Sequence, residues 1–202
     1  MFSNSDYIDR RILKSKRALK QGVITLLKTK DFKEITVTDI VLAADLNRGT
    51  FYKHYQYKED LLNEIIDDVI TDLIESYREP YINKENFEVD KLTTSAIKVF
   101  DHVSQYADFY SLIVQSTTLA GFQHKMTNVL KELTLKDLSD QIKNEKINKE
   151  LHASYQAFAI AGLIIEWIEG GYKYSSHYMA EQLLEIIKYN SSNAVFRPSV
   201  EG

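Results

Sequence analysis

Between Leu61 and Ile74 the apolar residues come in adjacent pairs at every fourth position: Leu61/Leu62, Ile65/Ile66, Val69/Ile70 and Leu73/Ile74. A strand would alternate them at every second residue. The four-residue spacing gathers all of them on one broad side of a helix. That stripe is wider than a coiled-coil seam, so the helix must pack against several neighbours. It is expected to run from Lys58 to about Tyr77, with Pro80 beyond its end. Little in the rest of the chain would interrupt helices, because 202 residues contain only 2 prolines and 7 glycines. Further long helices are expected over 9–29, 90–105, 107–115, 119–141, 149–168 and 176–189, with Gly170-Gly171 as a helix stop. The expected fold class is all-α, with a loop over 80–89 and loose ends at 1–8 and beyond Ser191.

The chain has no cysteine, which excludes disulfides and thiolate chemistry. The residues at the start, Met1 to Asp9, are polar and carry no apolar core of a signal peptide. The longest apolar run, Ala157 to Ile165, is too short to span a bilayer. The expectation is a cytoplasmic protein with no membrane partner. The net charge of −4 hides an asymmetry. Residues 1–60 carry twelve Lys/Arg against eight Asp/Glu, a net of +4, and the remainder carries thirteen against twenty-one, a net of −8. No acid lies between Arg10 and Lys30, a stretch holding Arg10, Arg11, Lys14, Lys16, Arg17 and Lys20. A basic head and an acidic body fit contact with phosphate through the head alone.

Two short helices precede the long one, each with a full set of start signals. Thr36 with Asp39 three residues on forms a capping box, and Ile35 with Ile40 the hydrophobic staple around it. Asn47 is a second N-cap, with Leu46 and Phe51 as the second staple. Two helices of about eight residues joined by a tight turn at Asp45 make a helix-turn-helix, with Ala43 and Ala44 as the small residues at the crossing. Phe32 is expected to plug the core ahead of them. Phe51 and Tyr55, four apart, face inward. Arg48, Gly49, Thr50, Tyr52, Lys53 and His54 are left outward, a face with donors for phosphate and base edges and no carboxylate.

The stretch from Ile35 to Leu62, with Thr50-Phe51-Tyr52-Lys53-His54-Tyr55 followed by Lys58, resembles the DNA-binding domain of the TetR family of bacterial transcriptional regulators. The resemblance reaches back to about Lys14. It implies a three-helix DNA-binding head over 1–57 and a helical dimerisation and ligand-binding body over 58–202. It also implies phosphate contacts from Thr38, Thr50, Tyr52, His54 and Lys58. Arg48, Gly49 and Lys53 lie nearest the bases, with Arg48 suited to bidentate pairing with guanine. Three positions depart from the family pattern. Asp45 replaces a glycine in the turn, where Asp tolerates a left-handed backbone. Tyr57 replaces a capping residue, leaving that helix start to Glu59 and Asp60. Tyr55 stands where Phe is usual.

The body resembles the family more weakly, through the aromatic patch Tyr106, Phe109, Tyr110 and a Gly162-to-Trp167 helix. The resemblance implies that the last two helices form a four-helix interface in a homodimer, with Ala161, Gly162, Ile165, Leu183, Leu184 and Ile187 as candidates. It further implies a small apolar or aromatic effector, for which Phe100, Phe109, Phe122, Met126, Phe158 and Trp167 are candidate lining residues. The plainer reading of that set is ordinary core. Glu166 is a candidate anchor for a cationic ligand or, more plainly, a paired or solvated acid. Neither the histidines nor any catalytic motif has the spacing for metal or nucleophilic chemistry, so no cofactor, metal or enzyme activity is expected. The leading expectation is a dimeric repressor that binds double-stranded DNA at a palindrome. The alternatives are an effector-independent architectural DNA binder and a helical enzyme.

Overall fold

The computed structural model describes residues 4–81, 94, 97–115, 120–137 and 146–189. These form an all-helical structure: α1 (Asn4–Leu27), α2 (Val37–Ala43), α3 (Arg48–Tyr52), α4 (Lys58–Arg78), α5 (Val99–Gln105), α6 (Ala107–Gln115), α7 (Ala120–Asp137), α8 (Lys149–Glu169) and α9 (Ser176–Tyr189). Among the described residues there is no strand.

The head is built on α1. Leu19 and Val23, four residues apart, are fully buried, and Phe32 closes the core beneath the α1–α2 loop as its sequence position suggests. The close approach of α1 to α2 depends on Gly22. A Cβ placed there would stand 3.1 Å from the Ile40 carbonyl oxygen and 3.4 Å from the Ala44 nitrogen. Gly22 is the small residue that this α1–α2 contact requires. A Cβ there would also stand 3.5 Å from the Ala43 Cβ, so Ala43, although exposed, borders the contact, and Ala44 packs half-buried against the core.

The long helix α4 joins head and body. Its Leu61, Leu62, Ile65, Val69, Ile70 and Leu73 are buried, and it packs on α1 at one end and on α5 and α7 further along. One hydrophobic core runs from Leu19 in α1 to Leu184 in α9 without a break at the expected 57/58 boundary. In the body, the most extensive helix pair is α7 on α8. There Ala153, Ala157, Ala161 and Ile164 are buried on one side of α8, and Phe122, Met126, Leu130 and Leu133 on α7. Thr127 and Thr134 lie buried in α7 with their hydroxyls donating to the carbonyls of Gln123 and Leu130.

Several expected boundaries move. The first helix starts at Asn4, inside the arm expected to be loose. The helix expected over 90–105 begins only at Val99, since Ile97 and Lys98 are not helical. Residues 1–3, 82–93, 95–96, 116–119, 138–145 and the tail from Asn190 lie outside the described residues. The α8 stop is as expected: Gly171 takes a positive φ of 68°. The indole of Trp167 donates to the Tyr174 carbonyl at 2.9 Å, closing the turn into α9.

Candidate nucleic-acid interface

Both helix starts in the head follow their sequence signals. The Asp39 carboxylate accepts from the Thr36 backbone N–H at 2.9 Å, and the Asp39 N–H donates to the Thr36 hydroxyl at 3.2 Å. The Thr36 backbone N–H, and then the Thr36 hydroxyl donating at 2.8 Å, hold the Asp39 carboxyl below its usual range. Asn47 accepts from the Thr50 N–H at 2.9 Å. Between the two helices, Asp45 takes a φ of 52°, the left-handed conformation that the turn demands. The Tyr57 departure is resolved from the other end. The Asp60 carboxylate accepts from the backbone N–H groups of Tyr57 and Gln56, at 2.8 and 3.0 Å, and so satisfies donors at the start of α4.

The recognition element is shorter than expected: α3 has 5 residues and α2 has 7. Phe51 is fully buried and Tyr55 nearly so, with their rings 5.7 Å apart, and this pins the element to the head core. Its outward residues are Arg48, Gly49, Tyr52 and Lys53, all exposed. Arg48 leans on Tyr52, with its guanidinium 5.8 Å from the ring centroid and one N–H donating to the phenol oxygen at 3.3 Å. Gly49 also protects the cap, because a Cβ there would come within 3.2 Å of the Asn47 side-chain oxygen. Thr38 is exposed on α2.

Three residues of the expected set sit differently. Thr50 is half-buried and its hydroxyl donates to Asn47 at 3.2 Å. His54 is half-buried, with Nε2 2.8 Å from the Ser15 hydroxyl on α1. Burial, and then the charges of Lys16 and Lys53, push its pKa below the usual histidine value. Lys58 departs furthest. Its ammonium donates to three carbonyls of the α1–α2 loop: Phe32 at 2.7 Å, Lys33 at 3.1 Å and Ile35 at 2.7 Å. A lysine ammonium has three N–H donors, so none remains for a phosphate in this arrangement. Its role here is to pin the loop that leads into α2.

The basic character of α1 is likewise spent partly inside the molecule. Lys16 pairs with Glu64 at 2.8 Å, and Lys20 with Glu64 at 2.7 Å and with Asp68 at 2.5 Å, tying α1 to α4. Lys28 reaches Asp108 on α6 at 2.7 Å, and Lys30 reaches Asp39 at 3.5 Å. The Glu64 carboxyl is held below its usual range by Lys16 and Lys20, although burial opposes this. Beside the recognition element, Arg48 and Lys53 keep their charge outward.

A family model described as bacterial regulatory proteins of the tetR family matches residues 24–65, and one described as a transcriptional regulator C-terminal region matches residues 90–189. This chain belongs to the TetR family of bacterial transcriptional regulators. The TetR chain is 25% identical over 184 residues to YxbF of Bacillus subtilis (strain 168), an uncharacterised HTH-type transcriptional regulator. The match covers 91% of this chain and 47% of YxbF, so the chain spans about half the length of that curated relative. Among solved structures, its fold is like that of a putative TetR-family regulator from Syntrophomonas wolfei, with TM-score 0.71, 16% identity and coverage of 90% of this chain and 96% of that one. It is also like the dihydroxyacetone kinase operon activator DhaS, with TM-score 0.62, 21% identity and coverage of 87% and 95%.

The body candidates divide into two groups. Phe100, Phe109, Phe122, Met126 and Trp167 are buried and mostly packed edge-to-face, as in Phe109–Phe122 at 5.3 Å and Phe100–Trp167 at 5.8 Å. Phe158 is 64% exposed and so cannot line an interior pocket, and Glu166 is also exposed. Of the six expected pocket residues, only Phe109 borders the surface cleft between α1, α4 and the start of α6. Of the dimer candidates, Ala161, Leu183 and Leu184 are buried within the protomer, and Ile165 and Ile187 are half-buried. Gly162 is exposed, and a Cβ there would meet nothing within 4 Å. Sequence reasoning missed the residues on the outer side of α8. Leu151 is 71% exposed and Tyr155 58%, and at helical spacing they lie in line with Phe158 and Gly162.

Proposed function

We propose that this TetR-family protein is a homodimeric repressor that binds a palindromic operator in the cytoplasm. The observation that carries the reading is the exposed side of α3. Arg48, Gly49, Tyr52 and Lys53 stand outward on an element fixed from below by Phe51 and at its start by Asn47. The element itself contains no acid to repel DNA. In the major groove, Arg48 would offer two parallel N–H donors to a guanine edge. Tyr52, Lys53, Thr50, His54 and Thr38 would contact phosphates or neighbouring base edges, fixing register. Lys58 contributes through the loop that it holds in place.

Dimerisation is supported by the outer side of α8. This helix is long and apolar enough by length and composition to cross a membrane, and 33% of that stretch is buried within the protomer. Its alanine side is already packed on α7, so the exposed Leu151, Tyr155, Phe158 and Gly162 call for a second protein surface rather than lipid. Tyr178, Ile186 and Tyr189 extend the exposed apolar surface onto α9. A self-complementary patch of this kind suits a two-fold pair. Two recognition elements would then enter major grooves roughly 34–36 Å apart.

The test is selection from a random duplex library. It should recover an inverted repeat, and affinity should fall linearly in log–log against salt with a slope of about −0.9 per phosphate contacted. Recovery of unrelated sequences of equal affinity would favour the architectural reading. Within the selected site, Arg48→Ala should weaken binding by about 1–3 kcal/mol and relax the preference at one base pair of each half-site. A loss that is equal at every sequence would place Arg48 on phosphate instead. A promoter fusion carrying the selected site decides the direction of regulation, with derepression expected on deletion of the gene.

A further inference from the structure

The cleft at the junction of head and body is chemically specific. It measures about 320 Å³ and lies between Lys20 and Ile24 of α1, the Ile65–Asp72 stretch of α4, and Tyr106 and Phe109 at the start of α6. Its lining is mainly apolar, with Ile24, Ile65, Val69 and the rings of Tyr106 and Phe109. Its charged groups are Asp68, Asp72 and Lys20. Along α4, Glu64 is matched by Lys16 and Lys20, Asp68 by Lys20, and Asp67 by Lys125 at 2.5 Å. Asp72 differs from these. It is half-buried and accepts a hydrogen bond from the Tyr106 phenol, and among the described residues it has no cationic partner. A half-buried carboxylate without a counter-charge is costly unless something compensates for it.

We infer that this cleft binds a small organic cation, a primary amine or guanidine on a flat apolar group. The ammonium would pair with Asp72. The apolar group would lie against Val69 and the rings of Tyr106 and Phe109, where cation–π attraction adds to burial. A cleft of about 300 Å³ is at the small end of ligand sites, which suits an amine of this size.

The cleft also has a route to the recognition element. Asp68 lies one helical turn from Asp72 on the same side of α4, so an ammonium between them competes with Lys20 for Asp68. Lys20 and Ile24 are the α1 residues of the cleft, and Gly22 between them is where α1 closes on α2. A ligand that displaces α1 therefore displaces α2 and, through the Asp45 turn, α3. For this to regulate, the ligand must bind the two head positions with different affinity, and by reciprocity DNA must then weaken the ligand by the same factor. The regulatory half of the inference rests on the DNA-binding reading, whereas the binding half does not.

Calorimetry on the full chain without DNA, using benzylamine, benzyl alcohol and phenylacetate as probes, tests the binding half. Benzylamine should bind saturably, and the neutral and anionic probes about tenfold more weakly or worse, as for loss of one charge-assisted hydrogen bond. Asp72→Asn should weaken benzylamine by a similar factor. Tyr106→Phe keeps the ring and frees the carboxylate, and should tighten it. Equal binding of all three probes, an unchanged affinity in Asp72→Asn, or loss of binding in Tyr106→Phe would each overturn the assignment. With the selected operator present, benzylamine affinity should fall. An unchanged value there would overturn the regulatory half while leaving the cleft's ligand class standing.

Discussion

Replacing Gly162 with leucine should leave the protomer folded and separate the proposed dimer. In the protomer, a Cβ at this position meets no atom within 4 Å, so the larger side chain strains nothing internal. Within an exposed helix interior, leucine is favoured over glycine by about 0.5–1 kcal/mol, so α8 itself should become slightly more stable. Across a two-fold axis the same substitution acts twice, once from each copy. Inserting bulk into a packed contact costs about 1–3 kcal/mol at each place, which amounts to about 2–6 kcal/mol for the pair. At micromolar concentration that shifts a moderate dimer to monomer. Light scattering and circular dichroism together read the outcome: halved mass with unchanged helicity. Operator affinity should fall with it, because one recognition element meets only one half-site. A Gly162→Leu protein that remains dimeric at micromolar concentration would remove α8 from the interface. Phe158→Glu is the companion variant, since it places two carboxylates at the same surface and changes no interior contact.

What was legible in the sequence divides by range. The helix starts at Thr36 and Asn47 could be read because each cap spans three residues, and the capping atoms sit where the spacing puts them. The role of Lys58 could not be read, because its three carbonyl partners lie 23 to 26 residues away in a loop whose path only the fold determines. The basic run in α1 was legible as a sum of charges. The Lys16–Glu64 and Lys20–Asp68 pairs show that part of it meets acids on α4 rather than phosphate, and a count of charges carries no information on partners. Phe158 illustrates a third limit. When a helix is apolar nearly all round, periodicity no longer tells which side meets its own chain. The alanines at 153, 157 and 161 face α7, and the larger Tyr155 and Phe158 face outward, the reverse of a reading in which bulk marks the interior. Gly22 carried a usable signal. A glycine inside an otherwise strong helix weakens it, so its presence argues for a close backbone approach.

Acid should weaken the body through His102. This side chain on α5 is 2% exposed. Its Nε2 lies 3.1 Å from the Tyr110 hydroxyl on α6, and its ring packs on Tyr106, with centroids 4.8 Å apart. Burial lowers its pKa to about 4 from an ordinary value of 6.5, with the Asp72 charge on α4 acting weakly in the opposite direction. Well above pH 6.5 the residue is neutral in both folded and unfolded chains and contributes no pH dependence. Between pH 6.5 and 4 the unfolded chain takes up a proton that the folded chain refuses, so stability falls as the pH falls. The full loss, reached below pH 4, is about 3 kcal/mol, and about 2 kcal/mol of it falls between pH 6.5 and 5. Against a typical stability of about 5–15 kcal/mol this is a large fraction. Burial shifts His54 in the same direction, so wild-type urea titrations at pH 7.5 and 5 report both histidines. The variant His102→Phe isolates the first. Phenylalanine leaves the Tyr110 hydroxyl without its partner, a cost that is the same at both pH values, and it removes the titrating group. The difference in unfolding free energy between pH 7.5 and 5 should therefore shrink by about 2 kcal/mol in the variant. An undiminished difference would mean that His102 takes up its proton in the folded chain as readily as in the unfolded one, and that the Tyr106–Tyr110 surroundings admit a charge.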